Sequence, residues 1–424
     1  MLPIALIGAF CFAMVGNGVF ISKSIKIDKK KGGDEKMIRI KQSRKRNWIV
    51  SFLVVAIMVM IGGCGSSEKP AVQGESSANG TAKLGVVSYL TGAGAAYGES
   101  IRQGLELSRD EINAKGKVKL ELIFEDSKGE KNEAINAVNK LIHKDNVLAI
   151  LGPTLSGEMF AVGPIVNQEG VPIMGTSLTV EGITEIGDYV FRNSLPEFAA
   201  IPQSVKKAKE KYNLKKVAVM YSDNNDLGVA GFKIFEKALK ENGIEILAVE
   251  TFQDKNTDFS AQLTKIATLN PDAVVVAGLY QEGALILKKA REIGITVPII
   301  GNNGFNSPQL IKSAGNAADG AVVASPWFPG KDDVKVKNFI AAYKAKYNKE
   351  PDQFAAQAYD ALQIMAIAIE QAGSVTDRKK LRDTMATIKD YSGVTGKFSF
   401  NEKRNPEMDV TVLVVKDGQF TELK

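Results

Sequence analysis

The sequence predicts an α/β protein made of two doubly wound parallel-sheet lobes. Three observations carry this. From Lys83 onward short β-rich apolar runs alternate with amphipathic stretches, and the alternation runs twice, before and after about residue 195. The composition, 45% hydrophobic and 24% charged, is that of a globular chain and excludes collagen-like or wholly disordered structure. The 424 residues suffice for two or three domains of about 150 residues each.

In chain order, LGVVSYL at 84–90 reads as a strand, and 97–114 as a helix with Ile101, Leu105 and Ile112 on one face. Strands follow at 119–125, 147–151 and 171–174, with helices at 130–143 and 156–168 between them. The second run has strands at 217–221, 244–250, 273–277 and 297–300, separated by helices at 229–242, 259–269 and 282–293. Residues 332–388 read as mostly helical, and 397–400 and 410–415 as closing strands. Each doubly wound unit has a ligand-accepting crevice at its C-terminal strand ends. If the lobes face each other, the two crevices merge into one cleft over a hinge.

Several chemistries are excluded. The two cysteines, Cys11 and Cys64, both lie in the N-terminal apolar region, so the body has no disulfide, cysteine-based zinc site or cysteine nucleophile. The single histidine, His143, excludes paired-histidine metal motifs and reads as a solvated residue late in a Lys-rich helix. Neither G-x-x-x-x-G-K-[ST] nor G-x-S-x-G occurs. The run Gly92 to Gly98 is spaced G-x-G-x-x-x-G, one residue too long for a dinucleotide fingerprint, and reads as a tight turn that lets a small ligand approach a helix start. The pairs Asp223/Asp226 and Asp332/Asp333 read as loop and cap residues. We therefore expect no enzyme, no cofactor and no metal. Net charge is +6, but residues 1–63 hold 11 Lys and Arg against 3 Asp and Glu, leaving the other 361 residues at −2. Nucleic-acid binding loses its electrostatic basis.

The informative residues are hydroxyls at strand-to-helix junctions. Gly152-Pro153-Thr154-Leu155-Ser156-Gly157 and Gly175-Thr176-Ser177-Leu178-Thr179 each follow a strand. Exposed amides and hydroxyls there cradle an anion such as a carboxylate, although a single Ser or Thr would equally serve as an N-cap.

The N-terminus carries two apolar runs, 2–21 and 48–61, the second preceded by Arg39, Lys41, Arg44, Lys45 and Arg46. Basic residues, a short apolar run and terminal small residues form a secretory signal at 37–63. Ile61-Gly62-Gly63-Cys64 resembles a bacterial lipobox, which implies cleavage before Cys64 and acylation (palmitate or a like chain) of its thiol; a membrane helix with an incidental cysteine is the alternative. Residues 64–82 read as a flexible tether. We expect 1–36 to be an untranslated upstream extension, because Lys31-Gly32-Gly33-Asp34 can be encoded by a ribosome-binding sequence ahead of Met37. The alternative is an extra apolar signal-anchor helix at 2–21.

The body resembles type I periplasmic binding proteins, the leucine/isoleucine/valine-binding group of ABC transporters. The likeness spans 83–424. It is carried by Leu90-Thr91-Gly92 with Ala96-Tyr97-Gly98, by Glu111-Ile112-Asn113-Ala114-Lys115-Gly116, by Gly152-Pro153 with Ser156, and by Gly393-Val394-Thr395-Gly396 with Phe398 and Phe400. It implies two lobes joined by three crossovers, here near Ser194, Ala324 and Phe400, closing over a small solute. Lobe 1 would be 83–194 with 325–395, and lobe 2 195–324 with 396–424.

By the same resemblance, Ser156 and Thr179 are carboxylate-binding hydroxyls, and Ser177 offers a backbone carbonyl to the ligand ammonium. Tyr97 lines the pocket, and Tyr280 is a second-lobe contact. Two positions depart from the pattern: neutral Asn303 stands where an acidic residue would pair with the ammonium, and Leu227 stands at a cleft tyrosine. A buried ammonium with no counter-charge costs several kcal/mol. Either Asp226 or Glu282 supplies the charge, or the ligand is an aromatic or aliphatic acid or amide lacking an ammonium. The implied protein is a monomeric, lipid-anchored solute binder on the outer face of the bacterial cytoplasmic membrane, delivering its cargo to ABC permease subunits. A ligand-sensing co-receptor of a membrane signalling protein is the alternative.

Overall fold

The computed structural model describes residues 80–424. Cys64, the signal and most of the tether lie outside the described residues. Among the described residues no helix is long and apolar enough to cross a membrane.

The first sheet starts with β1 (Thr81–Ser88), followed by α1 (Ala95–Lys115), β2 (Lys119–Asp126), α2 (Lys131–His143), β3 (Ala149–Leu151), α3 (Ser156–Gln168), β4 (Ile173–Gly175) and β5 (Val190–Arg192). Its order is β2-β1-β3-β4-β5, all parallel. The chain then builds α4 (Glu197–Tyr212), β6 (Lys216–Ser222), α5 (Asp226–Glu241), β7 (Glu245–Phe252), α6 (Ser260–Leu269), β8 (Ala273–Ala277), α7 (Tyr280–Glu292), β9 (Ile299–Gly301), α8 (Pro308–Ala314) and β10 (Ala321–Ser325). The same winding recurs as β7-β6-β8-β9-β10, extended by two antiparallel strands, β14 (Thr411–Lys416) and β15 (Gln419–Glu422). In each sheet the order reverses beside the first strand of the unit, and a crevice opens there.

Between these strands the chain returns to the first sheet. Here α9 (Val334–Tyr347), α10 (Gln353–Ala372) and α11 (Arg378–Met385) precede a small sheet of β11 (Tyr391–Gly393), β12 (Gly396–Phe400) and β13 (Pro406–Glu407). α10 is apolar nearly all round because it is buried nearly all round, packed on α1. Asp360 on α10 is held by the N–H groups of Val394 and Thr395, the Thr395 hydroxyl and the Tyr391 hydroxyl. A side chain at Gly393 would strike that carboxylate, so the Gly-Val-Thr-Gly run serves to bind Asp360.

The doubly wound pattern expected from the sequence is present, with differences that have physical causes. Strand 84–90 is Thr81–Ser88, since its buried alternation begins at Ala82. Helix α4 escaped the periodicity because Pro202 and a Lys-rich end blur its face. β5 is only three residues long, and β10 is a uniformly buried run without alternation. Residues 396–400, counted above with the second lobe, pair with β11 and set Phe400 against Phe191 of the first sheet at 5.4 Å, so they pack with the first lobe. The glycine run also has a packing role. Gly94 leaves room for the Tyr89 ring, and a Cβ at Gly98 would lie 2.1 Å from the Tyr89 carbonyl oxygen. These glycines let α1 pack onto the end of β1, while Ala93 and Tyr97 of the same run line the cavities described below.

Candidate functional site

Two chambers lie in series between the facing sheets. The inner one, about 30 Å³, is lined by Tyr97, Ser156, Ser177, Thr179, Asn303 and Phe354, with Thr154, Leu155, Leu227, Leu279 and Gly304. The outer one, about 500 Å³, shares Leu155, Ser156, Leu227 and Leu279 and opens among Glu130, Lys131, Glu158, Asp226, Asp254, Lys255 and Glu282. The three leucines form the partition between them.

Sheet order explains the convergence. β3 and β4 are neighbours, so the loops after them meet. Ser156 opens α3, and its hydroxyl accepts from the Thr179 and Val180 N–H groups at 3.2 and 3.4 Å. The Ser177 hydroxyl donates to the Thr154 carbonyl at 2.6 Å. From beneath, buried Arg192 donates to the Leu178 and Val180 carbonyls and to Asn405, fixing the loop that presents Thr179. Its guanidinium is held down to about 10 by desolvation.

Tyr97, in the first turn of α1, ties the lobes together. Its hydroxyl donates to the Gly304 carbonyl at 2.6 Å and accepts the Tyr280 N–H at 2.9 Å. Burial raises the pKa of its hydroxyl well above the ordinary tyrosine value. Tyr280 answers from the second lobe, donating to the Ala93 carbonyl at 2.7 Å and meeting the Tyr97 ring edge-on. It braces the wall from behind and lines neither chamber. At the mouth, Lys131 pairs with Asp226 at 2.9 Å and Lys255 with Glu130 at 3.2 Å, both across the cleft.

The structure therefore gathers Tyr97, Ser156, Ser177, Thr179 and Asn303 around one cavity. Asp226 and Glu282, the expected counter-charges, stand in the outer chamber instead. Each lies in the first turn of a helix, α5 or α7, whose start faces the mouth; Asp226 is held by Lys131, and one Glu282 oxygen accepts the Lys255 N–H at 2.8 Å. Burial raises the Glu282 carboxyl. Asn303 pairs with Gln353, amide to amide, at 3.2 and 3.3 Å.

Sequence reading missed Phe354, the three-leucine partition and Glu197. Glu197 opens α4 and is fully buried. Its Oε1 accepts the Asn303 N–H at 3.0 Å and faces the Thr179 hydroxyl at 3.5 Å, and burial pushes its carboxyl up to about 7. An acid directly after Pro196, at the start of a helix leaving the first crossover, was the available signal. Among the described residues no cluster of His, Cys, Asp and Glu could hold a metal ion.

The sequence pattern described as "Periplasmic binding protein" matches residues 81–419. The leucine-, isoleucine-, valine-, threonine- and alanine-binding protein of Pseudomonas aeruginosa is 28% identical over 355 residues, covering 82% of this chain and 94% of its own. Among solved structures, the branched-chain amino acid transporter substrate binding protein LivJ of Streptococcus pneumoniae, in complex with isoleucine, is 34% identical. It aligns with a TM-score of 0.77 over 80% of this chain and 98% of that one. A leucine binding protein, LivK, of Thermotoga maritima is 30% identical with a TM-score of 0.76, over 80% and 97% of the two chains.

Proposed function

The chain belongs to the periplasmic binding protein family, and we propose that it is the extracytoplasmic solute-binding component of an ABC importer, taking up an amino acid of the branched-chain type. The observation that carries this is the inner chamber: Ser156, Ser177 and Thr179 from the first lobe face Asn303 and Leu279 from the second, and Tyr97 bridges the two. The hydroxyls and loop amides suit a carboxylate, and Tyr97, Leu227 and Phe354 supply apolar contact to an aliphatic side chain. At about 30 Å³ the chamber is far smaller than an amino acid, so entry requires the lobes to part and reclose. Reclosure strips water from the carboxylate and strengthens its hydrogen bonds. Cargo and closed shape are then offered together to permease subunits.

In this reading the protein works as a monomer, tethered to the outer face of the cytoplasmic membrane through lipid on Cys64. Loss of fatty-acid labelling in Cys64→Ser tests the anchor. The ligand is tested by thermal shift against leucine, isoleucine, valine, their des-amino analogues and aromatic acids. A ligand at 100 times its Kd adds about 2.7 kcal/mol of stability. Stabilisation by the branched-chain amino acids is the expected result. Stabilisation only by acids lacking an ammonium would keep the fold assignment and overturn the cargo.

A further inference from the structure

We propose that Glu197 is the residue that pairs with the ligand ammonium, in place of the acid missing at position 303. This rests on the amino-acid reading above and names the group that makes it chemically workable.

Glu197 Oε1 is fixed by the Asn303 N–H and lies 3.5 Å from the Thr179 hydroxyl, and both residues line the inner chamber. The other oxygen, Oε2, is buried and has no hydrogen-bond partner among the described residues. The two oxygens share one carbon, so Oε2 lies beside Oε1, directly behind the Thr179 and Asn303 that line the chamber. A fully buried carboxylate with one unsatisfied oxygen is costly, and a cation beside it removes much of that cost. Among the described residues no Lys or Arg does so: Arg192, on the adjoining strand β5, is committed to the Leu178 and Val180 carbonyls and Asn405. Asn303, which gives its N–H to Glu197, is neutral, and its side-chain amide is paired with that of Gln353 on α10. Of the rival acids, Asp226 is paired with Lys131, and Glu282, whose Oε2 is likewise unpartnered among the described residues, lines only the outer chamber, beyond the leucine partition.

Calorimetry on the intact protein tests this with leucine and its des-amino analogue 4-methylpentanoate as probes. In Glu197→Gln, the preference for leucine over 4-methylpentanoate should fall by roughly 30-fold or more, the usual scale for truncating one partner of a buried charge pair. Glu197→Asp, which keeps the charge, should recover part of that preference. An unchanged preference in a folded Glu197→Gln protein overturns the proposal, as does equal weakening of both probes, which would mark a purely structural residue.

If Glu197→Gln does not fold, the wild type still decides. Leucine binding measured in two buffers of different ionisation enthalpy should release more protons than 4-methylpentanoate binding at the same pH. Closure affects the raised carboxyls of Glu158 and Glu282 with either probe, so the difference isolates the ammonium's partner. Equal proton release overturns the proposal. Failure of the wild type to bind leucine or any other α-amino acid is a separate outcome, and overturns the amino-acid reading itself.

Discussion

The inner and outer chambers share a partition of three leucines and differ in almost everything electrostatic. The inner wall is hydroxyls, amides and aromatic rings with a single buried acid behind it; the outer wall carries five carboxylates and two lysines. Most of the outer charges are hydrated and partnered, so each contributes little to recognition. In the inner chamber, desolvation makes one charge decisive. The number of charges lining a cleft is thus a poor guide to which of them reads the ligand.

Glu158 sharpens the comparison, because it belongs to the outer wall yet is as buried as an inner residue. Its Oε2 accepts the Leu155 N–H at 2.8 Å, its Oε1 has no partner among the described residues, and burial pushes its carboxyl up to about 7. A carboxyl raised on folding binds more protons in the native than in the unfolded state between about pH 4.5 and 7. Its contribution is therefore fully present below about pH 4.5 and lost as pH rises through about 7. Glu158→Gln should leave stability at pH 4.5 nearly unchanged and raise it at pH 8 by up to about 3 kcal/mol. Urea melts of both proteins at the two pH values check this. An equal effect at both would place the change in packing rather than charge.

The next effect is on closure. Tyr97→Phe keeps the ring and removes the hydroxyl, leaving the Gly304 carbonyl and the Tyr280 N–H without their partner when the lobes meet. At about 1–3 kcal/mol per unsatisfied buried group, partly relieved by opening, we expect ligand affinity to fall by about 2 kcal/mol, or roughly 30-fold. Calorimetry would show it, and a change below about threefold would mean that the clasp adds nothing to closure.

Thr179→Val should weaken a carboxylate ligand by about 1–3 kcal/mol, whereas Asp226→Asn should change affinity by less than about fivefold, as an exposed pair does. Equal losses in the two variants would break the distinction between chambers.

The residues that sequence reading found and those it missed divide along the same line. Ser156, Ser177 and Thr179 were legible because each follows a short buried strand within a few residues, a purely local signature. Tyr97 was legible through its glycine-rich surroundings, where the glycines also seat Tyr89 and the start of α1. Asp226 and Glu282 were placed at the right strand ends, those of β6 and β8, but local sequence does not say whether a first-turn side chain points inward or toward the mouth. Glu197 and Phe354 were not legible. They meet the cavity only because the chain crosses between sheets and α10 returns onto α1, which brings Glu197 to Asn303 across 106 residues and sets Phe354 against Tyr97 of α1.

The smallest effect belongs to the latches at the mouth. Lys131–Asp226 and Lys255–Glu130 span the cleft at 2.9 and 3.2 Å, but the four side chains are 39–72% exposed. Pairs of this kind contribute less than about 1 kcal/mol each and weaken as salt shortens the Debye length to about 10 Å at 0.1 M. Because both pairs form only when the lobes are together, that small energy falls entirely on closure. The double variant Lys131→Ala/Lys255→Ala should lose no more than about tenfold in ligand affinity at low salt and nothing measurable at 0.5 M, since screening has by then already removed the attraction in the wild type. Affinities measured across a salt series would show the two proteins converging. Parallel salt dependences would mean that the mouth charges act only as a solvated rim, and that closure is held from the inside by Tyr97 and Tyr280.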